Sequence, residues 1–458
     1  MPLDSTAPSG THAVVSGGSM AGMLAARVLA DHFDRVTLVE RDHFPEEPVF
    51  RKGVPQARHA HILLVRGRMI LERLFPGLRD ELLAAGAPIV DFSADFKLLS
   101  PTGWGPRFRS PFTTFSCSRE LLDWSVRRQL AADGRVGFRE ECDVTELLSN
   151  ADKTAVTGVR IRPRRRAEDE AARSEELRAD LVLDAGGRES RAPQWLAVMG
   201  YPPAQETTVN SFLGYASRFY ARPADLNTDW KALFIQARPP NLPRGGALFP
   251  LEGDRWLVTL AGAGRDYPPN DDAGYLEFAR TLASPILYEA IKDAQPLSPI
   301  YGYQRTENRV RHFDRMARWP EGFVALGDAV SAFNPIYGQG MTTAAVGAMI
   351  LDATLRGTRS GDRRGLARRF QRQLAKRNAD VWLMATGEDF RYPTTEGGKR
   401  SPMTRFMHGY IDRVLALSTQ NRDVYNALVS VLHLLVPPMN LFHPGIAARV
   451  LWQEVARK

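Results

Sequence analysis

The 458-residue sequence contains only two cysteines, Cys117 and Cys142. Two thiols exclude a disulfide framework and a thiol-based metal cluster, and they fit a reducing compartment, so we expect a cytoplasmic protein. Apolar runs of about 18 residues or more are also missing, which argues against a transmembrane segment. Residues 1–11 lack a basic segment followed by an apolar one, so no secretion signal is expected.

A strong excess of one charge is missing too. Lys and Arg total 60 against 52 Asp and Glu, which gives a formal net charge of +8. The densest basic run, Arg160–Arg166, leads into the acidic stretch Glu168–Glu176, and this arrangement predicts a solvated hairpin loop. Because no aromatic side chains interleave with the basic ones, we expect no nucleic-acid binding. The positive excess instead favours anionic small-molecule partners.

The first informative pattern in the sequence is a predicted strand–helix–strand unit. His12–Ser16 and Val36–Glu40 are apolar strands, and Met20–Asp31 has the apolar spacing of a helix. The turn at 17–22 (Gly-Gly-Ser-Met-Ala-Gly) is small enough for a pyrophosphate to reach the amides at the helix N-terminus. Glu40, which ends the second strand, can accept hydrogen bonds from a ribose. The unit predicts a dinucleotide-binding fold; an ordinary strand–turn–helix is the alternative.

A second glycine-rich motif follows the predicted strand Phe323–Leu326. It consists of Gly-Asp-Ala at 327–329 and Asn-Pro-Ile-Tyr-Gly-Gln-Gly-Met at 334–341, which opens a helix. The Asp328 carboxylate can accept hydrogen bonds from ribityl hydroxyls, while amides at the helix start can stabilise negative charge on a reduced isoalloxazine ring. Together the two motifs predict one extended FAD molecule; a purely structural loop is the alternative.

These motifs resemble those of the para-hydroxybenzoate hydroxylase-like superfamily of FAD-dependent monooxygenases, over roughly residues 10–350. Segment 51–61 (Arg-Lys-Gly-Val-Pro-Gln-Ala-Arg-His-Ala-His) makes the chain most similar to bacterial polyether-type polyketide epoxidases and the related FAD-binding dialkyldecalin synthases. The resemblance implies that this loop lies beside the flavin, that Arg119 reaches the cofactor and that the backbone at Val144 meets the adenine.

The candidate cofactor-binding residues come from the motifs and the resemblance together. They are Gly17, Ser19, Met20, Ala21, Gly22, Glu40, Arg41, Arg51, Arg119, Val144, Asp184, Asp328, Pro335, Gly338, Gly340 and Met341. His59 and His61 have no thiol or carboxylate set at ligand spacing, so we expect a packed loop and no metal.

A third motif lies at 184–191 (Asp-Ala-Gly-Gly-Arg-Glu-Ser-Arg), where the resembling family carries an Asp-Gly fingerprint associated with FAD and NADPH. Here Ala185 replaces the glycine. The resemblance implies that Asp184 contacts FAD, with electrons from NADPH or from a separate flavin reductase. In the alternative, Asp184 and Arg188 only brace the turn through a salt bridge and hydrogen bonds.

The predicted fold class is α/β: a Rossmann-like FAD-binding domain, an inserted mostly antiparallel β-sheet substrate domain and a helical C-terminal region. Arg119–Ala131 predicts a helix, and Val136–Leu148 and Leu177–Leu183 each predict one strand. The expected division gives the FAD-binding domain residues 10–95, 119–205 and 311–360, the substrate domain residues 96–118 and 206–310, and the helical C-terminal region residues 361–458.

The resemblance implies a monooxygenase, an epoxidase or hydroxylase that uses a flavin C4a-hydroperoxide. Its substrate would be a large apolar natural-product intermediate, such as a polyketide polyene in antibiotic biosynthesis. The cofactor carries the chemistry, so the catalytic residues are left unassigned. Candidate substrate-pocket residues are Phe212, Tyr215, Phe234, Trp256, Phe333 and Tyr337. Helical segment Val424–Val436 either caps that pocket or completes the core.

Four alternatives stay open. A non-redox [4+2] cyclase would keep FAD as a structural element and fold a linear polyene in its pocket. A flavin halogenase is disfavoured, because no two of the eight tryptophans stand two apart. An isoprenoid or alkene reductase shares the fold, and a binding module would have no catalysis.

Overall fold

The computed structural model describes residues 11–164, 174–358, 363–398, 400 and 402–455. Strands 156–163 and 175–178 pair antiparallel and confirm the predicted charged hairpin, whose tip at 165–173 lies outside the described residues. Segment 1–10, where no secretion signal is expected, also lies outside them. Within the described ranges no helix is both long and apolar enough to cross a membrane.

The helices are concentrated at the two ends of the chain. In chain order they are α1 Met20–Leu29, α2 Val65–Leu74, α3 Leu78–Ala84, α4 Arg119–Ala131, α5 Ala192–Val198, α6 Asp272–Arg280, α7 Ile286–Ile291, α8 Gly340–Arg356, α9 Leu366–Asp389, α10 Pro402–Ser418, α11 Arg422–Leu432 and α12 Pro444–Val455.

The strands form five sheets. In chain order they are β1 His12–Ser16, β2 Arg35–Val39, β3 Ile89–Asp91, β4 Phe96–Ser100, β5 Gly103–Trp104, β6 Thr113–Phe115, β7 Val136–Arg139, β8 Cys142–Ser149, β9 Val156–Pro163, β10 Glu175–Arg178, β11 Leu181–Asp184, β12 Glu206–Asn210, β13 Gly214–Ala221, β14 Ala232–Ile235, β15 Arg244–Leu251, β16 Arg255–Gly262, β17 Tyr301–Tyr303, β18 Asn308–Arg311, β19 Phe323–Ala325, β20 Ser331–Ala332 and β21 Glu396–Gly397.

A five-stranded parallel sheet in the order β19-β11-β1-β2-β7 lies at the centre of the nucleotide-binding part. Its central strands are apolar and buried on both faces, as parallel strands covered by helices must be. The chain leaves β1 toward β2 on one side, while β11 pairs on the other. β1 therefore stands at a switch point in strand order, where α/β folds open a crevice for ligands.

The second large sheet has the order β17-β13-β16-β15-β14-β4-β5 and is antiparallel except where β14 pairs with β4. The alternation seen in the sequence gives it two distinct faces. Trp256, Val258 and Leu260 pack with α6 and α7 on the outer face. Ser217 and Thr259 point to the inner face, where Ala60 donates a backbone hydrogen bond to Thr259. The predicted α/β fold class with its antiparallel insertion is confirmed.

Two strand predictions are wrong, because each merges strands of different sheets. Residues 136–148 form β7 in the parallel sheet and β8 in a three-stranded antiparallel sheet. Between them Glu141 has a φ of 53°, a left-handed conformation that turns the chain. Residues 177–183 divide in the same way between β10 and β11, and the backbone of Asp180 at the break donates to the His12 carbonyl.

The C-terminal region is helical, and its helices are interrupted after Asp389 and at Pro437–Pro438. Helices α10, α11 and α12 share a small apolar cluster of their own. Helix α11 also packs against the first half of the chain, because Tyr425 and Val429 join Val65 and Phe92 in a second cluster. The C-terminal region thus closes over the loop that precedes α2.

Candidate active site

The three sequence motifs meet at one edge of the parallel sheet. Ser16, Asp184 and Ala325 are aligned across β1, β11 and β19, so the motifs that follow these strand ends start side by side. The Ala185 amide donates to the Ser16 carbonyl over 2.8 Å, and the Leu326 amide to the Asp184 carbonyl over 2.9 Å. The fold therefore combines residues that are about 300 positions apart into a single site.

At Gly17 and Gly22 the first turn leaves no room for a side chain. Gly17 has a φ of 103°, and a Cβ there would lie 2.5 Å from the Ala185 carbonyl oxygen. A Cβ at Gly22 would collide with the Gly17 carbonyl. Helix α1 begins at Met20, so the N-terminal amides of the helix lie directly behind this turn. This geometry suits the close approach of a pyrophosphate.

Glu40 and Arg51 flank the glycine turn. Glu40 is buried and accepts hydrogen bonds from the amides of Gly18 (2.6 Å) and Asp42 (2.9 Å). Arg51 Nη2 donates to the Gly18 carbonyl over 3.1 Å, whereas its buried Nη1 lies 4.0 Å from Glu40 Oε2 and has no hydrogen-bond partner among the described residues. An unpaired buried N–H is costly, so Nη1 is available to an oxygen of a bound ligand. Arg41 is exposed.

Arg119 reaches the same turn from α4. Ser118 caps this helix, and Arg119 Nε donates to Asp123 over 2.6 Å while Nη2 donates to Ser19 Oγ over 3.1 Å. A cavity separates α4 from the 44–57 loop, and both Arg51 and Arg119 line it. Two buried guanidiniums beside the glycine turn give this cavity the positive charge that a diphosphate requires.

The loop at 59–61 packs between α4 and the inner face of the large sheet. His59 is hydrogen-bonded to Ser217 Oγ over 2.9 Å and lies edge-on to Tyr215. Burial lowers the pKa of His59 and of His61 to about 4, and the Arg119 charge adds to the effect on His61. Both imidazoles are neutral at pH 7, and the buried Nε2 of His61 has no hydrogen-bond partner.

In the third motif Asp184 is fully buried. It accepts hydrogen bonds from the Gly186 amide (2.9 Å) and Ser190 Oγ (2.5 Å). Burial raises the pKa of Asp184, and its hydrogen bonds and the Arg311 charge oppose that rise. The alternative prediction of a salt bridge between Asp184 and Arg188 is wrong, because Arg188 has a different partner. Arg188 pairs with Glu307 over 2.7 Å and also donates to the Phe333 carbonyl.

Asp328 stands where the second motif leaves β19. Burial raises the pKa of its carboxyl, and the Arg188, Arg309 and Arg119 charges oppose the rise. None of the described residues donates a hydrogen bond to this carboxylate. A half-buried carboxylate without donors can accept the hydroxyl groups of a ligand, as a ribityl chain would provide.

The loop after Asp328 carries Pro335 and ends in a left-handed Gly338, with a φ of 66°. Helix α8 then begins at Gly340, beside which a Cβ would meet open space. Met341 is buried, and within the described part of the chain the buried Oε1 of Gln339 has no hydrogen-bond partner. Free amides, an unpaired acceptor and open space at a helix start suit the polar edge of a flavin ring.

Val144 and Ala21 are two further predicted cofactor-binding residues, and each lies near one of the motifs. Val144 borders an irregularity in the pairing of β8 with β9. The neighbouring Cys142 amide donates to the Glu40 carbonyl, so Val144 lies near the end of β2. Ala21 faces Gly327, where an added Cβ would lie 2.9 Å away.

The six candidate pocket residues occupy different places. Phe234, Ala247, Thr259 and Ser217 are aligned across the large sheet on its inner face. Tyr215 stacks against Tyr303 near His59 on the same face.

Trp256 lies on the outer face against Trp230, because it alternates with the inward-facing Leu257. Phe212 lies under the Arg265 guanidinium at the end of β12.

Phe333 and Tyr337 belong to the loop between Asp328 and α8. They pack with Leu64, Val381 and Leu434 in an apolar cluster, called here the loop cluster. A second cavity opens beside this cluster. Its lining includes Thr343 and Val346 of α8, Arg377, Asn378, Val381 and Met384 of α9, and Leu434, Val436 and Pro437 of the C-terminal region.

Asp389, at the end of α9, is a residue for which sequence reasoning gave no role. Its fully buried carboxylate accepts hydrogen bonds from Asn308 Nδ2 (2.7 Å), Tyr337 OH (2.8 Å) and Asn334 Nδ2 (3.1 Å). The available signal was an acidic residue at a helix C-terminus, where the helix dipole disfavours it. Its partners lie 52 to 81 residues away, so the sequence alone could not connect them.

The chain matches the FAD-binding domain family over residues 10–368 and belongs to that family. Protein Rv3254 of Mycobacterium tuberculosis (strain ATCC 25618 / H37Rv) is 35% identical over 391 residues, which cover 84% of this chain and 82% of that protein. The glycine turn fits the cofactor that the family binds, and so do the Arg51 nitrogen and the Asp328 carboxylate, which lack hydrogen-bond partners among the described residues. The chain is an FAD-binding flavoprotein.

Solved structures show the same fold. The flavin-dependent brominase Bmp2 aligns with a TM-score of 0.68 at 16% identity, covering 98% of this chain and 100% of that one. A tetrameric form of 2-methyl-3-hydroxypyridine-5-carboxylic acid oxygenase aligns with a TM-score of 0.57 at 18% identity, covering 83% and 91%. At these identities the likeness concerns the fold, which halogenases and oxygenases share.

Proposed function

We propose that this flavoprotein is a monooxygenase that transfers one oxygen atom to a large apolar natural-product intermediate, such as a polyketide polyene. The observation that carries the proposal is the place of the loop at 333–338. Its Gly338–Gly340 end adjoins the edge where the three motifs meet, and its Phe333 and Tyr337 side chains face the apolar loop cluster. One loop thus connects the cofactor side of the site with an apolar region.

In this proposal each group of residues has its own role in holding the cofactor. The glycine turn, Arg51 and Arg119 hold the diphosphate, and Asp328 accepts the ribityl hydroxyls. The α8 amides stabilise negative charge at the ring edge. The chemistry that bound FAD supplies is activation of dioxygen by its reduced ring. The loop cluster excludes water from the reacting groups.

We propose that substrate enters through the cavity beside the loop cluster. Its wall combines apolar side chains, such as Val381 and Leu434, with the polar side chains of Arg377 and Asn378. The inner face of the large sheet, with Tyr215 and Phe234, would form the far wall. In this proposal Trp256 makes no substrate contact, because it lies on the outer face.

A specific observation favours a second candidate, the non-redox cyclase similar to dialkyldecalin synthases. Both terminal nitrogens of Arg188 donate to Glu307, and one of them also donates to the Phe333 carbonyl, while Ala185 replaces the usual glycine. An engaged arginine offers no free charge to a second dinucleotide. The same observation, within the monooxygenase proposal, favours a separate flavin reductase over direct docking of NADPH. We place either activity in the cytoplasm, on the cysteine content.

One experiment separates these functions. The purified yellow protein receives NADPH without oxygen, with and without a flavin reductase, and then air together with a candidate polyene and a bromide salt. A product heavier by one oxygen atom, formed only after the flavin has bleached, supports the monooxygenase. An isomer formed without bleaching supports the cyclase, and a brominated product supports a halogenase; either result contradicts our proposal.

A further inference from the structure

The buried carboxylate of Asp389 connects three separate parts of the chain. It ends α9, and its three donors come from β18 and from two positions of the 333–338 loop. None of the described Lys, Arg or His side chains forms an ion pair with it. A buried carboxylate without a cation, at the negative end of a helix, costs stability. A core selected for stability alone would hold a neutral amide there.

The carboxylate fixes the direction of the Asn308 amide group. Because Asn308 Nδ2 donates to Asp389, its Oδ1 must point the other way, and there it accepts the backbone N–H of Asn334 over 2.7 Å. The Asn334 side chain donates to the same carboxylate and accepts from the Ile336 amide over 3.3 Å. Asp389 therefore holds the loop by its side chains and, through Asn308, by its backbone.

We propose that Asp389 is a positioning residue for the flavin ring: through Asn308, Asn334 and Tyr337 it fixes the 333–338 loop where that loop meets the isoalloxazine edge. This inference rests on the ring-binding role proposed for the loop, but not on any choice of substrate or reaction. It extends the flavin site to the C-terminal helical region, which no cofactor motif of the sequence includes.

The charge of Asp389 gives the proposal a measurable signature. Burial raises the pKa of Asp389 to about 7, the nearby Glu388 charge adds to the rise, and the hydrogen bonds from Tyr337 and Asn334 oppose it. Among the other titratable groups that face it, burial raises the pKa of Tyr337 and of Tyr392, and Arg391 is paired with Glu388 and Asp412. The carboxyl is thus the group of this cluster that titrates near neutral pH.

Protonation removes the negative charge to which Asn308, Asn334 and Tyr337 donate, although the Tyr337 hydroxyl can reverse its role and accept the new proton. The hydrogen bonds that hold the loop then weaken, because hydrogen bonds to a charged acceptor are stronger than those to a neutral one. We expect FAD to bind about tenfold more weakly below the midpoint than above it, and the visible flavin spectrum to change at the same midpoint.

The test measures FAD affinity and the flavin spectrum of the full chain from about pH 6 to about pH 8, without substrate. The wild-type protein should show the midpoint, and Asp389→Asn should bind FAD weakly throughout with no midpoint. Tyr337→Phe keeps the carboxylate but removes a hydrogen bond that lowers its pKa, so its midpoint should move to higher pH. Asp293→Asn, a change at an exposed site, should match the wild type.

Each result decides the proposal. If Asp389→Asn binds FAD like the wild type and keeps the midpoint, the positioning role is wrong while the monooxygenase proposal survives. If Asp389→Asn does not fold, Tyr337→Phe decides, because an unshifted midpoint in that variant also overturns the role. A folded wild-type chain that takes up no FAD overturns both the inference and the site on which it rests.

Discussion

At the scale of single residues, a few side chains have hydrogen-bonding capacity that the protein itself leaves unused. Arg51 Nη1 is a buried donor without an acceptor, and the Asp328 carboxylate is an acceptor without a donor among the described residues. Buried polar groups are normally paired, so each such group calls for a partner outside the chain. Both groups border the glycine turn, because Arg51 donates to the Gly18 carbonyl and Gly327, which precedes Asp328, faces Ala21.

Asp328→Ala should weaken FAD binding by about 10- to 100-fold, the effect of losing hydrogen bonds to a charged acceptor. The measurement is a fluorescence titration of the cofactor-free chain with FAD. Asp293→Asn serves as the control, because Asp293 is exposed and remote from the motifs. Unchanged affinity in Asp328→Ala would show that the ribityl chain lies elsewhere.

The buried imidazole of His433 should make the free energy of unfolding depend on pH. Burial lowers its pKa to about 3, and its Nδ1 accepts the Val65 amide over 3.1 Å at the start of α2. The unfolded chain takes up a proton below about pH 6.5, whereas the folded chain keeps the ring neutral. The neutral, buried His433 therefore contributes on the order of a few kcal/mol to the free energy of unfolding. This contribution is fully present above pH 6.5 and is lost as the pH falls toward 3.

His433→Asn should flatten this pH dependence, because the amide oxygen can still accept from Val65 but cannot take up a proton. Urea unfolding of both proteins at about pH 5 and about pH 7.5 measures the effect. The dependence should be reduced but not abolished, since burial lowers the pKa of His59 and His61 as well. An equal loss of stability in the two proteins on acidification would contradict the account.

Some of these residues can be predicted from the sequence, and others cannot. Gly17, Glu40 and Asp328 belong to local motifs in which the spacing itself carries the chemistry. The alternation around Trp256 shows which residues share a face, but the choice of the face that meets the site depends on packing against α6 and α7. Asp389 has no local pattern at all, because its partners are defined only by the folded topology.

At the scale of secondary-structure elements, prediction succeeds where one helix or strand is bounded by its own signals. Helix α4 has the predicted bounds, because Ser118 caps it and accepts from the Leu121 amide. The strand predicted at 136–148 is wrong, because apolar spacing continues across the turn at Glu141 although the chain changes sheets there. Local patterns do not contain the partner of a strand, and the partner decides which sheet it joins.

The glycine turn yields a prediction at this scale. Gly22→Ala should abolish FAD binding, because the new Cβ would collide with the Gly17 carbonyl and displace the start of α1. Gly409→Ala, in the middle of α10 with open space around it, is the matched control. It should leave FAD binding unchanged and raise the unfolding free energy by about 0.5–1 kcal/mol. Chemical unfolding and FAD titration of both variants check the pair.

At the scale of the whole molecule, the flavin site depends on segments from along most of the chain. The glycine turn, α4, the end of β11 and the 333–338 loop meet at the sheet edge, and the end of α9 lies behind that loop. A ligand that contacts all of them should stabilise the folded state as a unit. We therefore expect FAD at about 100 times its Kd to raise the Tm by about 3 °C.

Differential scanning calorimetry of the cofactor-free chain with and without FAD checks this expectation. Adenosine monophosphate at the same multiple of its own Kd should give a similar increase in Tm, because linkage depends on occupancy alone. At equal concentrations FAD should raise the Tm more, since it also engages Asp328 and the α8 amides. Equal increases in Tm at equal concentrations would mean that only the glycine turn binds the cofactor.

The central claim is that one FAD molecule extends from the glycine turn at 17–22 to the helix start at Gly340. The direct measurement is the flavin content of the purified, folded chain, from its visible spectrum and from the cofactor released on denaturation. We predict a yellow protein with one FAD per chain, or a cofactor-free protein that takes up one FAD on titration. A well-folded chain that is colourless and binds no added FAD would contradict the account.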